Sequence, residues 1–100
     1  MKEIPDKAEV DIDFPDKTYM GSFGRHARYE ARADAESMRF KLVSSGDDRR
    51  EAEIHLHHFL FAALLDELAA SLAKSNPIDD VHREAVRDAA YKLYRALGGS

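Results

Sequence analysis

The chain has 100 residues, with 19 acidic and 15 basic side chains, a formal charge of -4, no cysteine and a hydrophobic fraction of 44%. These values suit one folded domain with a well-solvated surface, and they exclude disulfides and thiolate metal sites. A mildly acidic chain also lacks the basic surplus that phosphate-dominated nucleic-acid binding needs.

Residues 1–7 (Met1-Lys2-Glu3-Ile4-Pro5-Asp6-Lys7) are polar and read as a loose lead-in, with no apolar core of a signal peptide. Ala8, Val10, Ile12 and Phe14 then alternate with Glu9, Asp11 and Asp13. A period of two marks a strand with one buried face, and Pro15-Asp16 ends it because proline cannot donate to a ladder. A second, long strand is expected from Thr18 to Arg32. It would carry Tyr19, Phe23, Ala27, Tyr29 and Ala31 on one face and His26, Arg28, Glu30 and Arg32 on the other, with a bend or bulge at Gly21 and Gly24.

A turn at Ala33–Glu36 leads into a third strand, in which Met38, Phe40 and Leu42 alternate with Arg39, Lys41 and Val43. Ser44-Ser45-Gly46-Asp47-Asp48 is a second turn. The segment after it admits two readings. Ala52, Ile54 and Leu56 alternate as a strand would, yet Ile54, His58, Phe61, Leu65, Leu68 and Leu72 also fall at helical spacing. Cross-strand charge favours the strand. A hairpin centred on Asp47 sets Lys41 against Glu53 and Phe40 against Ile54, and the preceding hairpin sets Glu30 against Lys41. The strand is therefore expected to run to Leu56.

A helix follows over residues 57–74, with Phe61, Leu64, Leu65, Leu68 and Leu72 as its apolar stripe. Its apolar run, Phe59 to Leu65, is too short to span a bilayer, which takes about 20 residues. Ser75-Asn76-Pro77 breaks it, and Asp79 or Asp80 caps a second helix that runs to Leu97 and buries Val86, Ala89, Ala90, Leu93 and Leu97. Gly98-Gly99 stops it. The expected architecture is a single α+β domain over residues 1–100. It comprises an antiparallel meander of three to four strands over 8–56, then two antiparallel helices over 57–97 packed on one sheet face.

Candidate chemistry centres on the sheet's polar face. His55 and His57 project from the same side of a strand, and such a pair can offer two imidazoles to zinc or nickel, with His26 as a third ligand and Glu53 as a carboxylate or ring-orienting partner. On the helical alternative the pair diverges. The same residues equally suit a solvated strand face, and no H-E-x-x-H accompanies them. Gly21 to Arg28 is glycine-rich and locally basic, so Arg25 and Arg28 are anion-binding candidates, although neither nucleotide fingerprint is present. Tyr91, Tyr94 and Arg87 on the last helix are interface candidates.

No serine sits in a nucleophile elbow. The expectation is thus a small bacterial-type cytoplasmic protein with no membrane or nucleic-acid partner. It is read as a non-enzymatic interaction or accessory module that binds a protein partner or self-associates as a homodimer. A metal-dependent role for His55 and His57 is the alternative.

Overall fold

The structure, a computed structural model, describes residues 1–45 and 49–100. Six antiparallel strands precede two helices, so the fold is α+β. The strands are β1 (Lys2–Glu3), β2 (Ala8–Phe14), β3 (Lys17–Phe23), β4 (Ala27–Ala33), β5 (Ser37–Ser44) and β6 (Arg50–His57), and the helices are α1 (His58–Lys74) and α2 (Asp80–Ala96). Chain contacts divide the molecule into two units, Met1–Leu64 and Leu65–Ser100. No described helix is long and apolar enough to cross a membrane.

In the first unit the strands form two sheets, one ordered β1-β4-β5-β6 and the other β2-β3. The expected cross-strand charges hold in detail: Lys41 lies between Glu30 on β4 and Glu53 on β6, and Phe40 lies between Ala31 and Ile54. This register puts Ala31, Phe40, Leu42, Ala52, Ile54 and Leu56 on one face and the charged residues on the other. A slip of one residue would exchange them. The ambiguous segment is therefore strand to His57, and the helix starts at His58. Phe61 on its first turn stands with its ring centroid 6.0 Å from that of Phe40. Of the expected turn over Ser44–Asp48, residues 46–48 lie outside the described residues.

The long second strand does not exist as one element. A turn at Gly24–Ala27, closed by the Ala27 N–H donating to the Gly24 carbonyl at 2.8 Å, separates β3 from β4. Three residues intervene between Phe23 and Ala27, which are both buried, so the period of two passes unbroken through the turn and conceals it. His26 occupies the turn with φ 74°, a left-handed conformation, and is not on the polar face of a strand. β3 instead folds back on β2 across the two-residue link Pro15-Asp16, with Phe14 opposite Lys17 and Ala8 opposite Phe23. The lead-in is likewise structured at its start: Lys2 and Glu3 pair with Tyr29 and Arg28 along the outer edge of β4.

The turn from β4 to β5 is organised by Asp34. Its Oδ1 accepts the backbone N–H groups of Glu36 and Ser37, both at 2.8 Å, while its own N–H donates to the Ser37 carbonyl. This is an aspartate turn of the kind its short side chain favours.

In the second unit α2 begins where expected, with Asp79 as its N-cap residue in extended conformation. The Asp79 carboxylate engages the His82 imidazole, and no side-chain cap to the backbone forms. Gly98, at φ 98°, ends the helix by the left-handed route glycine permits. Both apolar stripes have formed, yet of the residues expected to be buried only Phe61, Leu72 and Leu93 are even half-buried. A period of 3.6 dictates which side chains share a helix face, not what covers that face.

The left-handed His26 yields a prediction. His26→Gly is expected to hold or raise the thermal midpoint, whereas His26→Val lowers stability by about 1–2 kcal/mol, since branching at Cβ conflicts with positive φ. Denaturant melts of the two variants check this, and equal destabilisation by both would contradict the turn geometry.

Candidate functional site

The polar face of the β4-β5-β6 sheet carries the densest set of chemically able side chains in the first unit. Alternation along β5 and β6 places Arg39, Lys41, Glu51, Glu53, His55 and His57 on it, with Arg39 opposite His55, Lys41 opposite Glu53, and Ser37 opposite His57. Lys41 Nζ bonds Glu51 at 3.0 Å, diagonally rather than straight across, and the guanidinium of Arg49 stands 3.8 Å from the other oxygen of Glu51. Glu53 Oε1 lies 2.8 Å from His55 Nε2, so Glu53 orients that ring. Arg39 forms an ion pair with Asp34, its Nε standing 2.8 Å from Oδ2.

The resolved titration shifts follow from these contacts. The hydrogen bond that Lys41 donates to Glu51, then the charge of that carboxylate, raises Lys41 above its ordinary value. The hydrogen bond from His55 lowers Glu53, and the bond to His82 lowers Asp79. Asp34 falls to about 2 because the Glu36 and Ser37 backbone N–H groups favour its ionised form, with Arg39 adding to the effect. Each shift stabilises the charged form, as structural ion pairing does. A general acid or base tuned for neutral pH needs the opposite displacement.

His55 and His57 share the polar face as expected, but His26 does not join them. The adjoining Ala27 is level with Ser44 and Arg50 across the sheet, five to seven residues from the pair and thus roughly 17–23 Å away along the strand. Among the described residues no three histidine or carboxylate side chains converge in a way that would hold a metal ion. His58 is committed elsewhere, with its Nε2 3.2 Å from the Asp34 carbonyl.

Of the anion-binding candidates, Arg25 lies exposed in the Gly24–Ala27 turn. Arg28 lies on β4 with its guanidinium 3.5 Å from the Met1 carbonyl. The interface candidates Arg87, Tyr91 and Tyr94 are all exposed on α2. The Tyr91 and Tyr94 rings stack at 6.4 Å between centroids, and the Arg95 guanidinium sits 5.9 Å over the Tyr91 ring.

Two features escape any reading of local pattern. A groove of about 660 Å³ separates the β2-β3 hairpin from β6, lined by Val10, Ile12, Met20 and Phe23 on one side and Ala52 and Ile54 on the other. At one end of it the Arg50 guanidinium donates to the Ser22 carbonyl at 3.4 Å, tying β6 to the hairpin. The second feature is Phe59, which is 95% exposed although it begins the longest apolar run. Helical period sets it apart from the stripe that includes Phe61 but does not say that nothing covers it.

Because Asp34 has its carboxyl lowered to about 2, its contribution to stability is complete above the ordinary value of 3.8 and is lost as the pH falls through about 2. At pH 3 its carboxyl is expected to remain mostly ionised in a carbon-detected NMR titration, when an ordinary aspartate is mostly protonated. Asp34→Asn should flatten the fall of the urea midpoint between pH 4 and pH 2, and an Asp34 midpoint near 3.8 would sink this reading. Compared with known proteins, the chain matches no family model, no curated protein and no solved structure.

Proposed function

We propose that the chain is a non-enzymatic interaction module that works by associating with copies of itself and, through them, with a protein partner. The observation that carries this reading is the poor match between apolar content and burial. Among the described residues only Phe23 and Ala27 are buried apolar side chains. Phe59 is 95% exposed, Leu68 60%, Val81 73% and Leu97 66%. A 100-residue chain should bury well over half the surface it exposes when unfolded. Large apolar surface left in water is the usual mark of a contact surface.

The charged side chains support the same reading. On the polar sheet face they are paired with one another, and their resolved shifts run towards ionic structure rather than towards catalysis. The stacked Tyr91–Tyr94 pair beside Arg87 and Arg95 has the composition of interface anchors. The absence of cysteine from the chain suits a reducing, cytoplasmic setting.

Sedimentation velocity over a concentration series, combined with native mass spectrometry, tests the proposal. The expected result is an assembly larger than one chain with no metal at one per chain. Phe59→Ser with Leu68→Lys should weaken that assembly by at least about tenfold, since each large apolar side chain that is buried is worth about 1.5–3 kcal/mol. Because both positions are exposed, the circular-dichroism melt of the variant should match the parent. A monomer at every concentration overturns the proposal. So does one metal per chain that disappears in the His55→Ala/His57→Ala variant.

A further inference from the structure

We propose that two copies of this chain join edge to edge through β6, pairing antiparallel about a two-fold axis at Ile54. The inference rests on reading the chain as a self-associating module, and it names the surface and the register.

The first observation is the edge itself. Among the described residues β6 is the last strand of its sheet, with backbone pairing to β5 on one side and, beyond it, only the Arg50 guanidinium donating to the Ser22 carbonyl of β3 at 3.4 Å. It is eight residues long, runs in unbroken register with β5 from Arg50 to His57, and contains no proline or bulge. Protein sheets ordinarily blunt such an edge by keeping it short, twisting it with a bulge, or placing proline or lysine there. The opposite edge of the same sheet follows that practice, since β1 has only two residues and begins with Lys2. β6 has full length and no bulge, proline or lysine, and its only such device is the charge of Arg50, Glu51 and Glu53.

The second observation is self-complementarity. An antiparallel pair related by a two-fold axis perpendicular to the sheet keeps each face on its own side, so only residues of the same face can stand opposite each other. With the axis at Ile54, Glu53 meets His55 of the second copy, Glu51 meets His57, Ala52 meets Leu56, and Ile54 meets its own equivalent. Every polar pair is then a carboxylate facing an imidazole, and every apolar pair is aliphatic.

Neighbouring registers are worse. An axis at Glu53 sets that carboxylate against itself, and an axis at Ala52 sets Glu51 against Glu53. An axis at His55 sets that ring against itself. The alternation of acid, apolar residue and histidine along Glu51–His57 therefore selects one arrangement.

The third observation is access. Glu53, Ile54 and His55 are all exposed, and Ile54 lines the apolar groove beside the β2-β3 hairpin. The groove offers apolar space to the aliphatic side chains that the second strand brings. Every residue of the proposed pairing belongs to the Met1–Leu64 unit.

The chain has no cysteine, which allows a direct test of register. Ile54→Cys in the full-length protein is expected to cross-link to itself under mild oxidation. Ala52→Cys and Leu56→Cys should cross-link slowly alone and readily when mixed, because each faces the other. Sedimentation of charge variants adds an independent reading. Glu53→His alone and His55→Glu alone should each weaken the dimer by about tenfold, and the double exchange should recover most of it by restoring carboxylate-to-imidazole pairs. An assembly that shows no preference for cross-linking at position 54 and no recovery in the double exchange overturns the β6 inference while leaving the interaction reading intact. A monomer at all concentrations removes both.

Discussion

The rest of the structure depends on the register of β5. Among the described strands it is paired on both sides along nearly its whole length, with β4 over Met38–Ser44 and with β6 over Ser37–Ser44, and its parity decides which side chains face solvent. Lys41 at its middle stands between Glu30 and Glu53, and Phe40 stands between Ala31 and Ile54, so charge and apolar pairing specify the same alignment. That alignment decides three further things. Glu53 and His55 come within 2.8 Å on one face, Ile54 turns towards the groove beside the hairpin, and β6 ends at His57 so that α1 can start at His58 and bring Phe61 against Phe40.

Around that register the polar groups are well satisfied, while the apolar groups are not. Asp34 is held by two backbone N–H groups and by Arg39, Lys41 by Glu51, and Glu53 by His55. These are partly exposed pairs of modest individual worth, so they shape the surface more than they stabilise it. The apolar side chains that would ordinarily supply stability are in large part left in water, Phe59 and Leu68 among them. In the proposed association a second molecule supplies the missing burial. The proposed role as an association module follows from that imbalance rather than from any catalytic arrangement.

Much of the fold was legible where a pattern has a short period and a local cause. The alternation of Ala8–Phe14, the Pro15-Asp16 link, the strand through Leu56 and the two helices with their Gly98 stop could all be read from neighbouring residues. The division of Thr18–Arg32 could not. Three turn residues between Phe23 and Ala27 preserve an even spacing, so burial parity continues as though the strand were unbroken. The same limit applied to the candidate site. His55 and His57 were rightly placed on one strand face, but the distance to His26 is a property of the turn and could not be obtained from alternation.

By itself the sequence determined the α+β class, the faces of most elements and the pairing of Lys41 with Glu30 and Glu53 and of Phe40 with Ile54, because these follow from side-chain period and from charges across short turns. It also determined that β6 would carry acids and histidines on one face and aliphatic residues on the other. Only the tertiary structure decided that β6 is an edge strand, that the β2-β3 hairpin leaves a groove beside it, and that Phe59 and Leu68 remain exposed. Edges, grooves and exposure depend on which elements come to lie beside which, and that choice is made by contacts between residues far apart in the chain, which no local period encodes.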